Sequence, residues 1–411
     1  MADVSVLDVL LHGERVGTLT LVQGSRTFFA FDSAYVGNVD RPTLSLSFKD
    51  QFGGLLTDIP PTNTRVPPFF ANLLPEGPLR EYLARQAGVN GQREFFLLWV
   101  LGQDLPGALA IRPADGNALP PGAAGEAGEA RGRPRRNVFR FSLAGVQLKF
   151  SAVGNAGRNG GLTIPVEGVG GSWIVKLPSE RYAAVPENEF SMMTLARRLG
   201  MDVPDVQLVA LEAIEGLPEG IARLEGRALA VRRFDRTEAG PVHVEDFAQV
   251  FGAWPEDKYR RASARSVATV LGVEAGDEAV AEFVRRLVFN TLIGNADMHL
   301  KNWSLIYPDR RTATLAPAYD VVSTIAYIPD ESAAIRYART RRMAEFSFDE
   351  LRYLAAKAHL PEKLVINAAA ETLTRFRDEW PAATKDLPVP RAVTHAVETH
   401  MKGLALLAEK P

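Results

Sequence analysis

Cysteine is absent from all 411 residues, which excludes disulfides, thiolate metal sites and a thiol nucleophile together. Histidine is scarce, and the six present are scattered without the clustering that zinc requires. Long apolar runs are missing too. Stretches such as 97–101 are short and flanked by charge, far below the ~20 residues of a membrane span. The opening Met1-Ala2-Asp3-Val4 shows no basic segment leading into an apolar one, so no secretory signal is expected and a cytoplasmic location is. Positive charge is not in excess either. A net charge of −2 argues against a chain that grips nucleic acid by itself. Two local basic clusters stand at 131–136 and, with four arginines around Tyr337, at 336–342. Such clusters are more often solvated surface than recognition patches, although the second is near enough to the acidic site below to grip substrate or phosphate.

What remains is an ordinary globular composition, 46% apolar and 23% charged, with length for two or three domains at roughly 150 residues each. Residues 4–48 alternate apolar and polar positions. Val4, Val6 and Val9 lead to a turn at His12-Gly13-Glu14 and then to Val16, Leu19 and Leu21, as in a hairpin. Pro78 is placed to open a helix running to about Ala87, and 93–101 reads as another short helix. Together these predict a small α/β subdomain over 1–112. Ala-Gly-Glu repeats and an Arg/Pro-rich run make 113–136 a low-complexity linker that fills no core. Strand character returns over 137–240, notably in Ser172-Trp173-Ile174-Val175-Lys176-Leu177, at 206–211 and at 227–234. A helix opens at Pro186-Glu187, carries Phe190, Met193, Ala196 and Leu199 at helical spacing, and closes at Gly200. Over 241–411 the pattern is almost wholly helical, with helices expected at 244–251, 262–271, 277–293, 347–358, 361–377 and from Arg391. The fold class expected is α+β and bilobal, protein-kinase-like, with a strand-rich N-lobe over 137–240, an all-helical C-lobe over 241–411 and the small N-terminal α/β subdomain.

The chemistry concentrates in Asn295-Ala296-Asp297-Met298-His299-Leu300-Lys301-Asn302, followed by Ala318-Tyr319-Asp320. Phosphoryl transfer from ATP needs a carboxylate to orient and deprotonate the acceptor hydroxyl, and an Asn and an Asp to hold Mg²⁺. Asn302 follows Asp297 by the interval that separates base and metal ligand in the protein-kinase catalytic loop. Asp297 is therefore the candidate base, and Asn302 and Asp320 the candidate metal ligands, oxygen donors suited to a hard cation. His299 and Lys301 are expected to shape this loop on the ATP side rather than to do chemistry. Upstream, Ser142 to Lys149 offers a phosphate cradle of small residues, Ala144 and Gly145, followed by Val146 and Gln147, with Lys149 as a point charge. Taken alone, a loop with one glycine is more often just a turn. Lys176 stands in the next strand, and Glu187 and Glu189 in the helix after it are its possible partners. Glu189 is the favoured one, since such a pair positions the α- and β-phosphates in kinases. Arg232, Arg233 and Phe234 join the strand-rich and helical halves, where backbone groups would meet adenine.

These blocks, with Arg41-Pro42-Thr43-Leu44-Ser45-Leu46-Ser47, Asn72-Leu73-Leu74-Pro75-Glu76, Gly102 to Gly107 and Arg233-Phe234-Asp235-Arg236, resemble the HipA family almost end to end. The family comprises serine/threonine kinase toxins of HipBA-type toxin–antitoxin systems. The resemblance implies a two-lobed kinase-like fold using ATP and Mg²⁺, with Lys176 on ATP, Asp297 as base and Asn302 and Asp320 on the metal. It implies a HipB-like helix-turn-helix antitoxin as partner and contact with operator DNA mainly through that antitoxin, with no membrane. It also implies a protein substrate such as glutamate–tRNA ligase, with growth arrest as the outcome. Self-inactivation by autophosphorylation falls on Ser142, where about −1.5 to −2 added charges beside the triphosphate pocket would repel the nucleotide. Leu148 stands where the family often carries an acid, as does Arg232. Two other readings compete: a catalytically weak corepressor or scaffold for a DNA-bound antitoxin, and a small-molecule or lipid kinase. Retention of Asp297, Asn302 and Asp320 weighs against the first, and the N-terminal subdomain against the second.

Overall fold

The computed structural model describes residues 4–23, 25–114, 149–154, 162–163, 171–179, 181–217, 225–328 and 331–409. The chain divides into two compact units. The first takes the N-terminal residues together with Asp235–Glu256 and Tyr307–Arg311, and the second takes Lys149–Phe234, Asp257–Ile306 and Thr312–Pro411.

The first unit is built on an antiparallel sheet of β1 (Ser5–Leu11), β2 (Glu14–Val22), β3 (Arg26–Phe31), β4 (Thr62–Asn63) and β5 (Leu109–Pro113), in the order β4-β3-β2-β1-β5. His12 and Gly13 both have positive φ, 53° and 84°. That is the backbone of a two-residue turn whose twist matches the flanking strands. Leu7, Val9 and Leu11, alternating along β1, are fully buried with Leu19 of β2. They pack in one core with Phe29, Phe69, Phe70, Leu97 and Leu98, each buried side chain stabilising by about 1.5–3 kcal/mol. Pro78 lies in the first turn of the Gly77–Gln86 helix.

Residues 244–251 are not one helix, which corrects the sequence reading. His243–Asp246 is a strand, and the helix is only Phe247–Val250. The physical reason is a capping box: the Asp246 carboxylate accepts from the Gln249 amide at 2.8 Å, and the Gln249 side chain accepts from the Asp246 amide at 2.9 Å. Within the same unit Glu245 is buried and accepts hydrogen bonds from Ser45 Oγ (2.5 Å), the Leu46 amide (2.9 Å) and the Tyr307 hydroxyl.

The second unit has a sheet lobe and a helical lobe. Its sheet runs β10-β7-β6-β8-β11-β9, where β6 is Lys149–Gly154, β7 Leu162–Thr163, β8 Trp173–Lys176, β9 Val206–Ala210, β10 Ile214–Glu215 and β11 Arg227–Arg232. The Val185–Arg198 helix buries Met192, Met193, Leu195 and Ala196. The helical lobe centres on Gly276–Leu292, whose Val280, Phe283, Val284, Leu287, Val288 and Leu292 are wholly buried. A short antiparallel pair, Ser304–Tyr307 with Thr314–Leu315, interrupts the helices. The helix expected to stop near Arg377 instead spans Glu362–Asp386 with Pro381 inside it. Phe376 and Trp380 stack at 5.4 Å and Ala383 is buried, so packing carries the helix past the proline. Among the described residues, no helix is long and apolar enough to cross a membrane.

Candidate active site

Lys176 ends the central strand β8, opposite Leu229 of β11 and Lys149 of β6. Its ammonium is bonded to both Glu189 and Asp320. The side chains of Lys176 and Glu189 are 9% and 3% exposed, whereas that of Asp320 is 29% exposed. Burial alone would lower the lysine pKa, but the Asp320 and Glu189 carboxylates overcome it and hold the ammonium well above the ordinary lysine value. The three residues of Glu187-Asn188-Glu189 have separate duties. Glu187 pairs with Arg227 at 3.1 Å. Asn188, fully buried, donates to the Ser323 carbonyl at 2.8 Å and accepts from its amide at 3.3 Å. One helix turn thus fixes the lysine and the segment just after Asp320.

The loop carrying Asp297 begins where the Gly276–Leu292 helix is stopped. Gly294 has φ +66°, and a Cβ there would meet Ile325 Cγ2 at 2.8 Å, so only glycine ends the helix at this point without displacing a neighbour. A relay of amides then sets the loop. Asn290 Nδ2 donates to the Arg286 carbonyl (2.9 Å), Asn295 Nδ2 to Asn290 Oδ1 (2.7 Å), and the Asp297 amide to Asn295 Oδ1 (3.0 Å). Asn302 Nδ2 closes the loop on the Asp297 carbonyl at 2.8 Å, so a cation at Asn302 would have to be met by Oδ1. The Asp297 carboxylate accepts from the Tyr259 hydroxyl at 3.3 Å.

Asp320 adopts a left-handed backbone, φ +53°, which a short polar residue tolerates better than most. The run before it is held by Arg286, a buried residue that donates to the Ala316 carbonyl (2.6 Å) and to Glu282 (2.7 Å). Tyr319 adds a bond from its hydroxyl to the Lys301 carbonyl at 2.9 Å and takes one from Ser304 Oγ at 2.5 Å. Asn302, Asp320, Arg286, Asn290 and Asn295 line one small cavity. An amide oxygen and a carboxylate in one recess, beside a lysine, form a donor set that fits a hard divalent ion bearing phosphates.

Other expected site residues are placed as follows. Arg233 is buried and its amide donates to the Ser172 carbonyl at 2.8 Å. The Phe234 ring lies 5.8 Å from that of Tyr319, whereas Arg232 is exposed and 3.6 Å from Asp205. His299 is buried with Nε2 3.9 Å from Asp297 Oδ1, and Lys301 lies in the same loop. Lys149 opens β6. Ser142, Ala144, Gly145, Val146 and Gln147, and residues 115–136 of the expected linker, lie outside the described residues. Sequence reasoning did not single out Asn188, Tyr259, Arg286, Asn290 or Tyr319. A signal for two of them was present, since a polar residue inside an apolar helix, as in Leu287-Val288-Phe289-Asn290, must be satisfied when buried.

The family model of a HipA N-terminal domain matches residues 7–112, and that of a HipA-like C-terminal domain matches residues 141–380. The chain belongs to the HipA family. A Sinorhizobium fredii relative named "Putative kinase Y4dM" is 59% identical over 410 residues, covering 100% of this chain and 99% of its own. The serine/threonine-protein kinase toxin HipA of Shewanella oneidensis is 31% identical over 301 residues, 65% of each chain. A solved complex of Shewanella oneidensis HipA, HipB and operator DNA contains a chain that superposes with TM-score 0.71 at 23% identity, covering 97% of this HipA-family chain and 96% of that one. That likeness shows the shared α+β fold.

Proposed function

We propose that this chain is an ATP- and Mg²⁺-dependent serine/threonine protein kinase acting as the toxin of a toxin–antitoxin pair. The observation that carries the reading is Lys176 bonded to both Glu189 and Asp320, in the same unit as the Asp297 loop and the cavity lined by Asn302. Lys176 fixes the α- and β-phosphates and is itself fixed by Glu189. Asn302 and Asp320 would hold Mg²⁺, which when bound would neutralise charge on the transferring phosphoryl group. Asp297 accepts the proton of a seryl or threonyl hydroxyl as its oxygen bonds to the γ-phosphorus and the bond to the β–γ bridging oxygen breaks, releasing ADP. The ATP pocket is completed by Ala144, Gly145, Val146, Gln147 and Lys149, by the 232–234 connector, and by His299 and Lys301. Autophosphorylation at Ser142 is the self-inactivating step. In domain terms, 1–112 is the HipA N-terminal subdomain, 113–136 a linker, 137–240 the N-lobe and 241–411 the C-lobe.

The partners follow from the family. A HipB-like antitoxin, which carries most of the operator contact, and a translation protein such as glutamate–tRNA ligase as substrate are the proposed ones. The solved relative, crystallised with HipB and operator DNA, supports the first. The deciding experiment is brief induced expression with growth and phosphoproteome followed together. Wild type is expected to arrest growth and add phosphate to one or a few seryl sites. Asp297→Asn, losing about 10²–10⁴-fold in transfer, is expected to do neither, and arrest by that variant would refute the catalytic reading.

A further inference from the structure

We infer that Arg286 is a positioning residue for the divalent ion, holding the run that carries Asp320 in register with the loop that carries Asn302. The inference rests on the proposed reading of Asn302 and Asp320 as metal ligands. Arg286 and Asn290 stand four residues apart on the Gly276–Leu292 helix and so share one face of it. Both are buried. Asn290 sets the Asn302 loop. Its Oδ1 accepts from Asn295 Nδ2 at 2.7 Å, Asn295 Oδ1 accepts the Asp297 amide at 3.0 Å, and Asn302 Nδ2 donates to the Asp297 carbonyl at 2.8 Å. Arg286 sets the Asp320 run. Its Nη1 donates to the Ala316 carbonyl at 2.6 Å, and Nη2 lies 3.5 Å from the Asp202 carbonyl, which also accepts the Ala318 amide at 2.8 Å.

The guanidinium is itself held in plane. Glu282, four residues earlier on the same helix, accepts from Nε at 2.7 Å. A planar fork can serve that carboxylate and two carbonyls at once, which the compact ammonium of a lysine cannot do in the same geometry. Beyond Asp320, Asn188 donates to the Ser323 carbonyl at 2.8 Å. The left-handed Asp320 therefore stands in a run gripped at 316, 318 and 323, and Arg286 acts on the first two of these. Arg286 also lines the same cavity as Asn302 and Asp320. Its positive charge there opposes a second cation, so any help it gives the ion must come through geometry. Residues that orient metal ligands from behind commonly govern affinity for the ion. Two ligands on separate segments chelate one ion only while their spacing is kept, and a single helix face sets that spacing here.

The test compares purified full-length wild type, Arg286→Lys, Arg286→Gln and Asp320→Asn. Calorimetric titration with the β,γ-imido analogue of ATP, in EDTA and across a series of Mn²⁺ concentrations, gives nucleotide affinity without metal and the affinity of the complex for the ion. Thermal melting checks the fold at the assay temperature. Arg286→Lys keeps the charge and loses the fork. It is expected to weaken Mn²⁺ binding about 10–100-fold, with analogue affinity in EDTA unchanged. Arg286→Gln removes a positive charge, which by Coulomb attraction alone would tighten the ion, yet it too is expected to weaken it. Unchanged or tighter Mn²⁺ binding in either folded variant, or an equal loss of analogue affinity in EDTA, overturns the inference. Unfolding of both variants assigns Arg286 to the core alone and overturns it as well. No Mn²⁺ binding by wild type, or binding that survives in Asp320→Asn, overturns the proposed metal site too. Binding lost in Asp320→Asn but kept in Arg286→Lys overturns this inference alone.

Discussion

Replacing Lys176 by methionine separates the stability of the buried ion cluster from its chemistry. Methionine matches the lysine stem in length, so packing is largely kept and the change isolates the ammonium. In the native protein that ammonium is shared by Glu189, whose side chain is 3% exposed, and by Asp320, at 29%. Without it Glu189 loses its cation in a dry setting, and breaking a buried pair from one side costs about 3–5 kcal/mol. Asp320 has water within reach and adds little to that figure. A second replacement, Glu189→Leu on top of Lys176→Met, removes the buried carboxylate and is expected to recover most of the loss. Urea unfolding at neutral pH, followed by tryptophan fluorescence, measures both variants. Both are expected to be inactive in phosphoryl transfer, because each lacks the lysine proposed to hold the phosphates. A loss below about 1 kcal/mol in the single variant, the scale of a screened surface pair, would refute the reasoning. So would a double variant no more stable than the single one.

Stability should also depend on pH through Glu245. Burial pushes its pKa up to about 7 against the bonds from Ser45, Tyr307 and Leu46 that lower it. The folded protein thus keeps a proton that the unfolded chain has lost. The resulting stabilisation is full below the ordinary carboxylate value of 4.5 and is lost as pH rises to about 7. It amounts to about 3 kcal/mol, and urea midpoints of Glu245→Gln should lack this slope. Asn188→Leu strands the buried amide and carbonyl of Ser323 and is expected to cost about 1–3 kcal/mol by the same unfolding measurement. Gly107→Ala forces a side chain onto φ +75° and brings Cβ within 2.7 Å of the Val244 amide nitrogen, so a fall of about 1–3 kcal/mol is expected, read as a lower melting temperature.

Local chemistry is legible along the chain wherever the cause is local. The β1–β2 turn follows from His12-Gly13, the Val185–Arg198 helix from Pro186 and its apolar spacing, and the end of the Gly276–Leu292 helix from Gly294. The interval between Asp297 and Asn302 belongs to the same class, since a closed loop of that length lets Nδ2 reach the carbonyl. Where two local signals compete, the reading fails. Residues 244–251 alternate like a strand and then repeat like a helix, and only the Asp246–Gln249 cap marks the change. Trp380-Pro381 reads as a stop, yet stacking on Phe376 carries the helix to Asp386.

The sequence by itself determined the residue types of the site, the α+β class and the order of its blocks, because spacing, turn residues and apolar periodicity act over a few residues. Tertiary structure alone decided which acid meets Lys176, with Glu189 taken and Glu187 turned to Arg227. It also decided that Asn188 grips Ser323, that Arg286 braces the run to Asp320, and that Tyr259 reaches Asp297. These are contacts between residues 13 to 135 apart, formed by the closing of the core, and no local pattern encodes them.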